Sequence, residues 1–361
     1  MMDIEEAGAH AARMRELIMG FRASQLIHVA AKLGLADHLS AGPQSAVALA
    51  NAVGAAAQPL YRLLRALASI GIFAETANGT FELTPPARLL QHDVPGSLKS
   101  TALLYGDEVF WAAYGGMMHS VQTGEPAFER RHGAPMYAYL AAHTDTASLF
   151  DEAMSRFSER EAAAILAAYD FSGFGTIVDV GGGQGTLLAA LLGTYPHLRG
   201  IILDRNEVAE GAGRLLAQAG LTERATFVAG DFFQAVPPDG DAYLLKSVIH
   251  NWDDAAAGTI LRTCRRAMRP DAHLIVMERV IPPANVPSEA KLFDINMLVT
   301  VGGQERTEEQ YRELFDTAGF DLTRINATAS PLTLIEGAPR NRPRGGLRHS
   351  VRPSCRHHGA G

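Results

Sequence analysis

TIVDVGGGQGTLL, residues 176–188 of a 361-residue chain, reads as a buried strand, a glycine turn and the apolar start of a helix. In that setting a glycine run marks a ligand site, because glycine turns tightly and lets a ligand approach the backbone closely. The spacing Gly181, Gly183, Gly185 leaves Thr186 where a dinucleotide fingerprint would want its third glycine. The motif alone does not choose between a pyrophosphate and a ligand without phosphates, so its neighbours must.

The chain exceeds one typical domain. Its 47% hydrophobic and 20% charged residues are an ordinary globular balance. No apolar run approaches the roughly 20 residues of a membrane span, and MMDIEEAGAH is acidic where a signal peptide is basic. Cys264 and Cys355 are too few for a disulfide framework or a thiolate zinc site, which points to a reducing cytoplasm, with no metal expected. A net charge of −7 argues against nucleic acid as a partner.

Four regions emerge. In 1–95, a helix at about 44–53, the apolar stretch PLYRLLRALASIG (59–71) and a hairpin around Asn78-Gly79 outline a winged helix. The helix at the DNA-reading position carries only Arg62 and Arg65 among Leu and Ala, so it is expected to pack against a partner chain and make a homodimer. Residues 96–168 read as helical and rich in Tyr105, Phe110, Trp111, Met117, Met118, Phe150, Met154 and Phe157, either a plain core or the wall of a pocket for a flat aromatic ligand. In 169–338, strands at TIVDV, GIILD, ATFVAG, DAYLLK, HLIVMER and LTLIE alternate with helices, an α/β doubly wound, parallel, Rossmann-like sheet whose ligands sit at the strands' carboxyl ends. The basic segment 339–361 lacks apolar periodicity and is expected to be disordered.

The strand ends choose the ligand. Asp179 precedes the glycines, where a carboxylate repels a pyrophosphate but suits a cationic amino-acid end. Asp204 ends the next strand, placed for ribose hydroxyls; Asp231-Phe232 follows the third, a carboxylate for an adenine amino group beside a ring for stacking. Each acid alone could be a helix N-cap. Three together, with no base in the loop, favour S-adenosylmethionine. In LLKSVIHNWDD (244–254), His250 projects as a general base for a phenol, with Glu278 or Glu305 to fix its tautomer and Asp253-Asp254 as a capping pair.

DVGGGQGTL, GDFF, LLKSVIHNWDD and GGQERT, in this order, resemble the S-adenosylmethionine-dependent O-methyltransferases of the caffeic acid and acetylserotonin type, especially bacterial natural-product members, over about residues 20–338. The resemblance implies a winged-helix dimerisation domain and methyl transfer to an aromatic hydroxyl, with S-adenosylhomocysteine as product. It implies that Gly181 and Gly183 contact the methionyl end, Asp204 the ribose, and Asp231 and Phe232 the adenine, with Lys246 against the cofactor. His250 would be the base flanked by Glu278 and Glu305. Met154 and Met297 would clamp the acceptor, with Asp294 near that wall. Asn251 stands where many relatives have Asp, and is expected to cap equally. Two other readings are a same-fold enzyme that hydroxylates or decarboxylates a polyketide, and a ligand-sensing winged-helix regulator.

Overall fold

The computed structural model describes residues 4–340. Near the N-terminus, strands β1 (Gln44–Ser45), β2 (Phe73–Glu75) and β3 (Thr80–Leu83) form the antiparallel wing, in the order β1-β3-β2, against helices Ala46–Val53 and Ala57–Ser69. The turn between β2 and β3 closes at Gly79, whose φ of +70° explains the Asn-Gly signal.

The apolar helix has a different use from the one expected. Leu60, Leu64 and Leu67 are buried inside this domain, in a core with Leu35, Leu49, Phe73 and Phe81. Its periodicity therefore reports an intramolecular core. Exposed apolar side chains include Ile70 at the end of this helix and Val47 on the preceding one, and they cluster as Met14, Leu17 and Ile18 on helix Ile4–Met19 with Phe21 at the start of helix Phe21–Lys32.

The remaining strands are β4 (Thr176–Val180), β5 (Arg199–Asp204), β6 (Ala225–Ala229), β7 (Ala242–Lys246), β8 (His273–Glu278), the short parallel pair β9 (Val280–Ile281) and β10 (Arg306–Thr307), β11 (Phe320–Ala327) and β12 (Thr333–Pro339). Seven of them make one sheet in the order β11-β12-β8-β7-β4-β5-β6. Successive side chains alternate between its two faces: Val178, Tyr243 and Leu245 meet helices Asp254–Ala267 and Glu308–Ala318, while Ile177, Leu244 and Ile275 meet Thr186–Thr194, Ala209–Gln218 and the end of the long helix Thr144–Ala168. Both faces are covered, which is why the central strands read as unbroken apolar runs.

The sheet is mixed rather than wholly parallel. β12 runs antiparallel to β8, and β11, unread in the sequence because FDLTRINA is largely polar, pairs antiparallel with β12 at the edge. All strands that carry site residues remain parallel, with their carboxyl ends on one rim.

The C-terminal boundary also moves. β12 continues to Pro339, and Arg340 is tied into the fold: its guanidinium contacts Asp316 at 2.6 Å and Asp321 at 2.9 Å and donates to the Phe320 carbonyl at 2.9 Å. The expected disorder of the basic tail concerns 341–361, which lie outside the described residues. A chain ended at residue 338 loses the Arg340 contacts and should melt about 2–4 °C below one ended at 340. Calorimetry on the two truncations tests this, and equal melting temperatures would show that these contacts add nothing to stability.

Candidate active site

Between β7 and helix Asp254–Ala267 the chain makes a single tight turn, Ile249–Asn251, whose middle residue is His250. Three groups hold it. Glu278 Oε1, at the end of β8, accepts the backbone N–H groups of Val248 (2.9 Å), Ile249 (2.8 Å) and His250 (3.3 Å). Arg306, fully buried, donates to the carbonyls of Ile249 (3.2 Å) and Trp252 (2.9 Å) and pairs with Asp254 at 2.8 Å. The loop GGQER supplies the third: Gln304 N–H donates to the His250 carbonyl at 2.8 Å, and a Cβ on Gly303 would lie 2.0 Å from that oxygen. Only glycine permits so close an approach.

The imidazole is 5% exposed. Its Nδ1–H donates to Glu305 Oε1 at 2.8 Å, with Glu278 Oε2 at 3.3 Å, so Nε2 is left for the cavity. Burial opposes the imidazolium, but Glu278 and Glu305 outweigh it and hold the His250 pKa above its ordinary value of 6.5. Burial likewise raises Glu278, although the imidazole and the backbone N–H groups favour its charged form. Both carboxylates stand behind His250, outside the cavity lining, as positioning residues. Asn251 does not cap the helix: its Nδ2 donates to the Ser247 carbonyl at 3.1 Å, and the cap is Asp253, which accepts from Ala256 N–H.

His250 opens on a single cavity of about 580 Å³. One end is the glycine loop. Gly181, Gly183 and Gly185 have φ values of +72°, +56° and +82°. The N–H groups of these three glycines are already engaged: Gly183 N–H donates to Asp204 Oδ2 at 2.7 Å, Gly185 N–H to the Gly182 carbonyl and Gly181 N–H to that of Leu203. A phosphate cradle would keep such groups free. Asp179 is buried against the loop with Oδ1 unpartnered, and burial lifts its pKa to about 7, partly offset by Lys246. Asp204 lines the cavity, and Asp231 stands at its rim capping the turn through Phe233 N–H (2.9 Å), with Phe232 beside it. Lys246 pairs at 3.0 Å with Glu161, a buried residue of the long helix that sequence reading missed.

The other end is apolar. Phe150, Met154 and Phe157 on the long helix face Met297 on helix Glu289–Thr300, and Tyr105, Phe110 and Arg279 complete the wall. Of the aromatic and methionine residues singled out in the sequence, Tyr105, Phe110, Phe150, Met154 and Phe157 line the cavity, whereas Trp111, Met117 and the exposed Met118 do not. Asp294 is a correction: its carboxylate does not line the cavity but accepts the Glu305 N–H at 2.8 Å, so it steadies the loop behind His250. Glu161 carried no motif, and Arg279 and Arg306, though inside HLIVMER and GGQERT, were given no role in the sequence; each is known by what the fold brings to it.

The mixed seven-stranded sheet, with acids at successive strand ends and an N-terminal wing domain, defines a class I methyltransferase fold. The O-methyltransferase domain matches residues 114–321 and the O-methyltransferase dimerisation domain residues 15–93. The chain is 43% identical over 324 residues to the phenazine O-methyltransferase of Lysobacter antibioticus, covering 90% of this chain and 95% of that one. The structure of a mitomycin 7-O-methyltransferase matches with a TM-score of 0.88 at 37% identity, over 93% of this chain and 100% of that chain. An O-methyltransferase from neocarzinostatin biosynthesis, solved with S-adenosylmethionine and 2-hydroxy-5-methyl naphthoic acid, matches with a TM-score of 0.76 at 33% identity, over 88% and 96% of the two chains. The chain belongs to the O-methyltransferase family.

Removing Glu278 would leave three buried N–H groups of the His250 turn without an acceptor. Glu278→Ala should therefore cost about 2–4 kcal/mol of stability in denaturant unfolding. A loss below about 0.5 kcal/mol would mean that the turn is held without it.

Proposed function

We propose that this enzyme transfers the methyl group of S-adenosylmethionine to a hydroxyl of an aromatic small molecule, with His250 taking the hydroxyl proton. The observation that carries the reading is the 2.8 Å bond from His250 Nδ1–H to Glu305, which turns Nε2 toward a cavity polar at one end and apolar at the other. Bound S-adenosylmethionine supplies a methyl group on a positively charged sulfur.

The chain's own residues do the rest. Asp179 and Lys246 with Glu161 suit the amino-acid end, Asp204 the ribose, and Asp231 with Phe232 the adenine. Met154, Phe150, Phe157 and Met297 hold the acceptor ring in line with the methyl group, the alignment that converts an encounter into an attack. The acceptor oxygen forms its bond to the methyl carbon as the carbon–sulfur bond breaks, and the phenolic proton passes to Nε2. Glu305 and Glu278 stabilise the resulting imidazolium. This proton route favours O-methylation over hydroxylation or decarboxylation, and the apolar wing helix is consumed in its own core rather than offering a basic reading surface. The two-cysteine composition fits a cytoplasmic enzyme, and no helix among the described residues is long and apolar enough to cross a membrane.

His250→Ala should lower kcat by roughly 10²–10⁴ while leaving S-adenosylhomocysteine affinity within threefold by calorimetry. The base must be neutral, so activity rises with pH through the His250 pKa, and that limb should lie above 6.5. Glu305→Gln removes a charge that holds the pKa up, and should move the limb to lower pH while reducing kcat. Near-wild-type turnover of His250→Ala would show that alignment alone suffices. Nδ1 and the two carboxylates also lie within 4.8 Å of one another, a spacing that a divalent ion could bridge. Full turnover after exhaustive chelation is expected, and its loss would replace the proton relay with a metal centre.

The dimerisation-domain match and the exposed Met14, Leu17, Ile18 and Phe21 support a homodimer joined through the first two helices. Ile18→Glu combined with Phe21→Glu should sediment as a monomer. A persisting dimer would place the interface elsewhere.

A further inference from the structure

Arg279, the residue directly after β8, is 8% exposed and lines the acceptor end of the cavity. Its guanidinium lies 3.9 Å from the centroid of the Phe293 ring, and the same ring stacks on the His250 imidazole at 6.0 Å. Nε has no hydrogen-bond partner, and among the described residues no carboxylate lies within 4.0 Å of the guanidinium. Its charge is nonetheless felt around the cavity, since it works against protonation of His250 and against the burial-driven rise of the Tyr105 pKa.

An arginine does not shed its proton to escape burial. Held largely out of water without an anion it is disfavoured, and a cation–π contact offsets only part of that cost. Glu278, its neighbour in the chain, and Glu305 are committed to His250 and its turn. The wall therefore presents a positive charge held flat by a ring, with its Nη donors, unlike the buried Nε, open to a carboxylate. We propose that Arg279 binds a carboxylate on the acceptor, so that the acceptor is a hydroxylated aromatic acid whose acid group pairs with Arg279 while its hydroxyl faces His250. This deepens, and rests on, the aromatic methyl-transfer reading above.

Binding tests it separately from turnover. Enzyme loaded with S-adenosylhomocysteine is titrated with 3-hydroxy-2-naphthoate and 6-hydroxy-2-naphthoate, each compared with its own carboxamide. At least one acid should bind about tenfold or more tightly than its amide. Arg279→Gln should weaken that acid by at least ~30-fold and leave the amide within about threefold; Arg279→Lys, which keeps the charge but not the fork, should fall between. Should Arg279→Gln fail to fold, the acid–amide comparison on the wild type and on Arg279→Lys still decides. The proposal is overturned if amides bind as well as acids, if no probe binds at millimolar concentration, or if Arg279→Gln lowers kcat for acids and amides alike without changing their binding. That last result would assign the charge to the reacting oxygen instead. Tight, Arg279-dependent binding of an acid that is never methylated would uphold the anion site while refuting the methyl-transfer reading.

Discussion

The site depends on one contact: the His250 carbonyl lies where the Cβ of residue 303 would be. This close approach joins the loop after β7 to the loop before β10. It lets Gln304 N–H cap that carbonyl, and it delivers Glu305 to Nδ1. Asp294 on one side and Arg306 on the other then fix the loop and the turn. A side chain at 303 would part the two loops, and with them the imidazole from the carboxylate that sets its tautomer.

Glu278 shows how one group serves structure and chemistry. One oxygen gathers three N–H groups of the turn and the other faces Nδ1. The negative charge that stabilises an imidazolium is thus held in place by the backbone that carries the imidazole. Two carboxylates beside one ring also keep its pKa up despite burial, so the imidazole stays protonated over a wider pH range.

At the cavity's other end the acids share a different logic. Asp204 ties down the glycine loop while lining the ligand space, and Asp179 stands unpaired behind it with a pKa of about 7. Lys246 lowers the Asp179 pKa only in part, and its ion pair is with Glu161, brought to it by the long helix. The long helix also carries Met154 and Phe157, so a single element reaches both ends of the cavity.

What was legible in the sequence was local. Apolar runs bounded by glycine marked the central strands because buried strands need no polar face, and acids at strand ends marked the ligand rim because a parallel sheet aligns those ends by construction. The chemistry an imidazole needs pointed to Glu278 or Glu305 beside His250, and the family resemblance to both. The antiparallel β12 with its edge partner β11, the inward use of the helix at 57–69, the hold of Asp294 on the Glu305 loop, the anchoring of Arg340, and the meeting of Arg279, Glu161 and Arg306 with their surroundings were decided only by tertiary structure. The physical reason is that periodicity states that a face is buried but not against what, and a charge in a sequence has no partner until the fold brings one within reach.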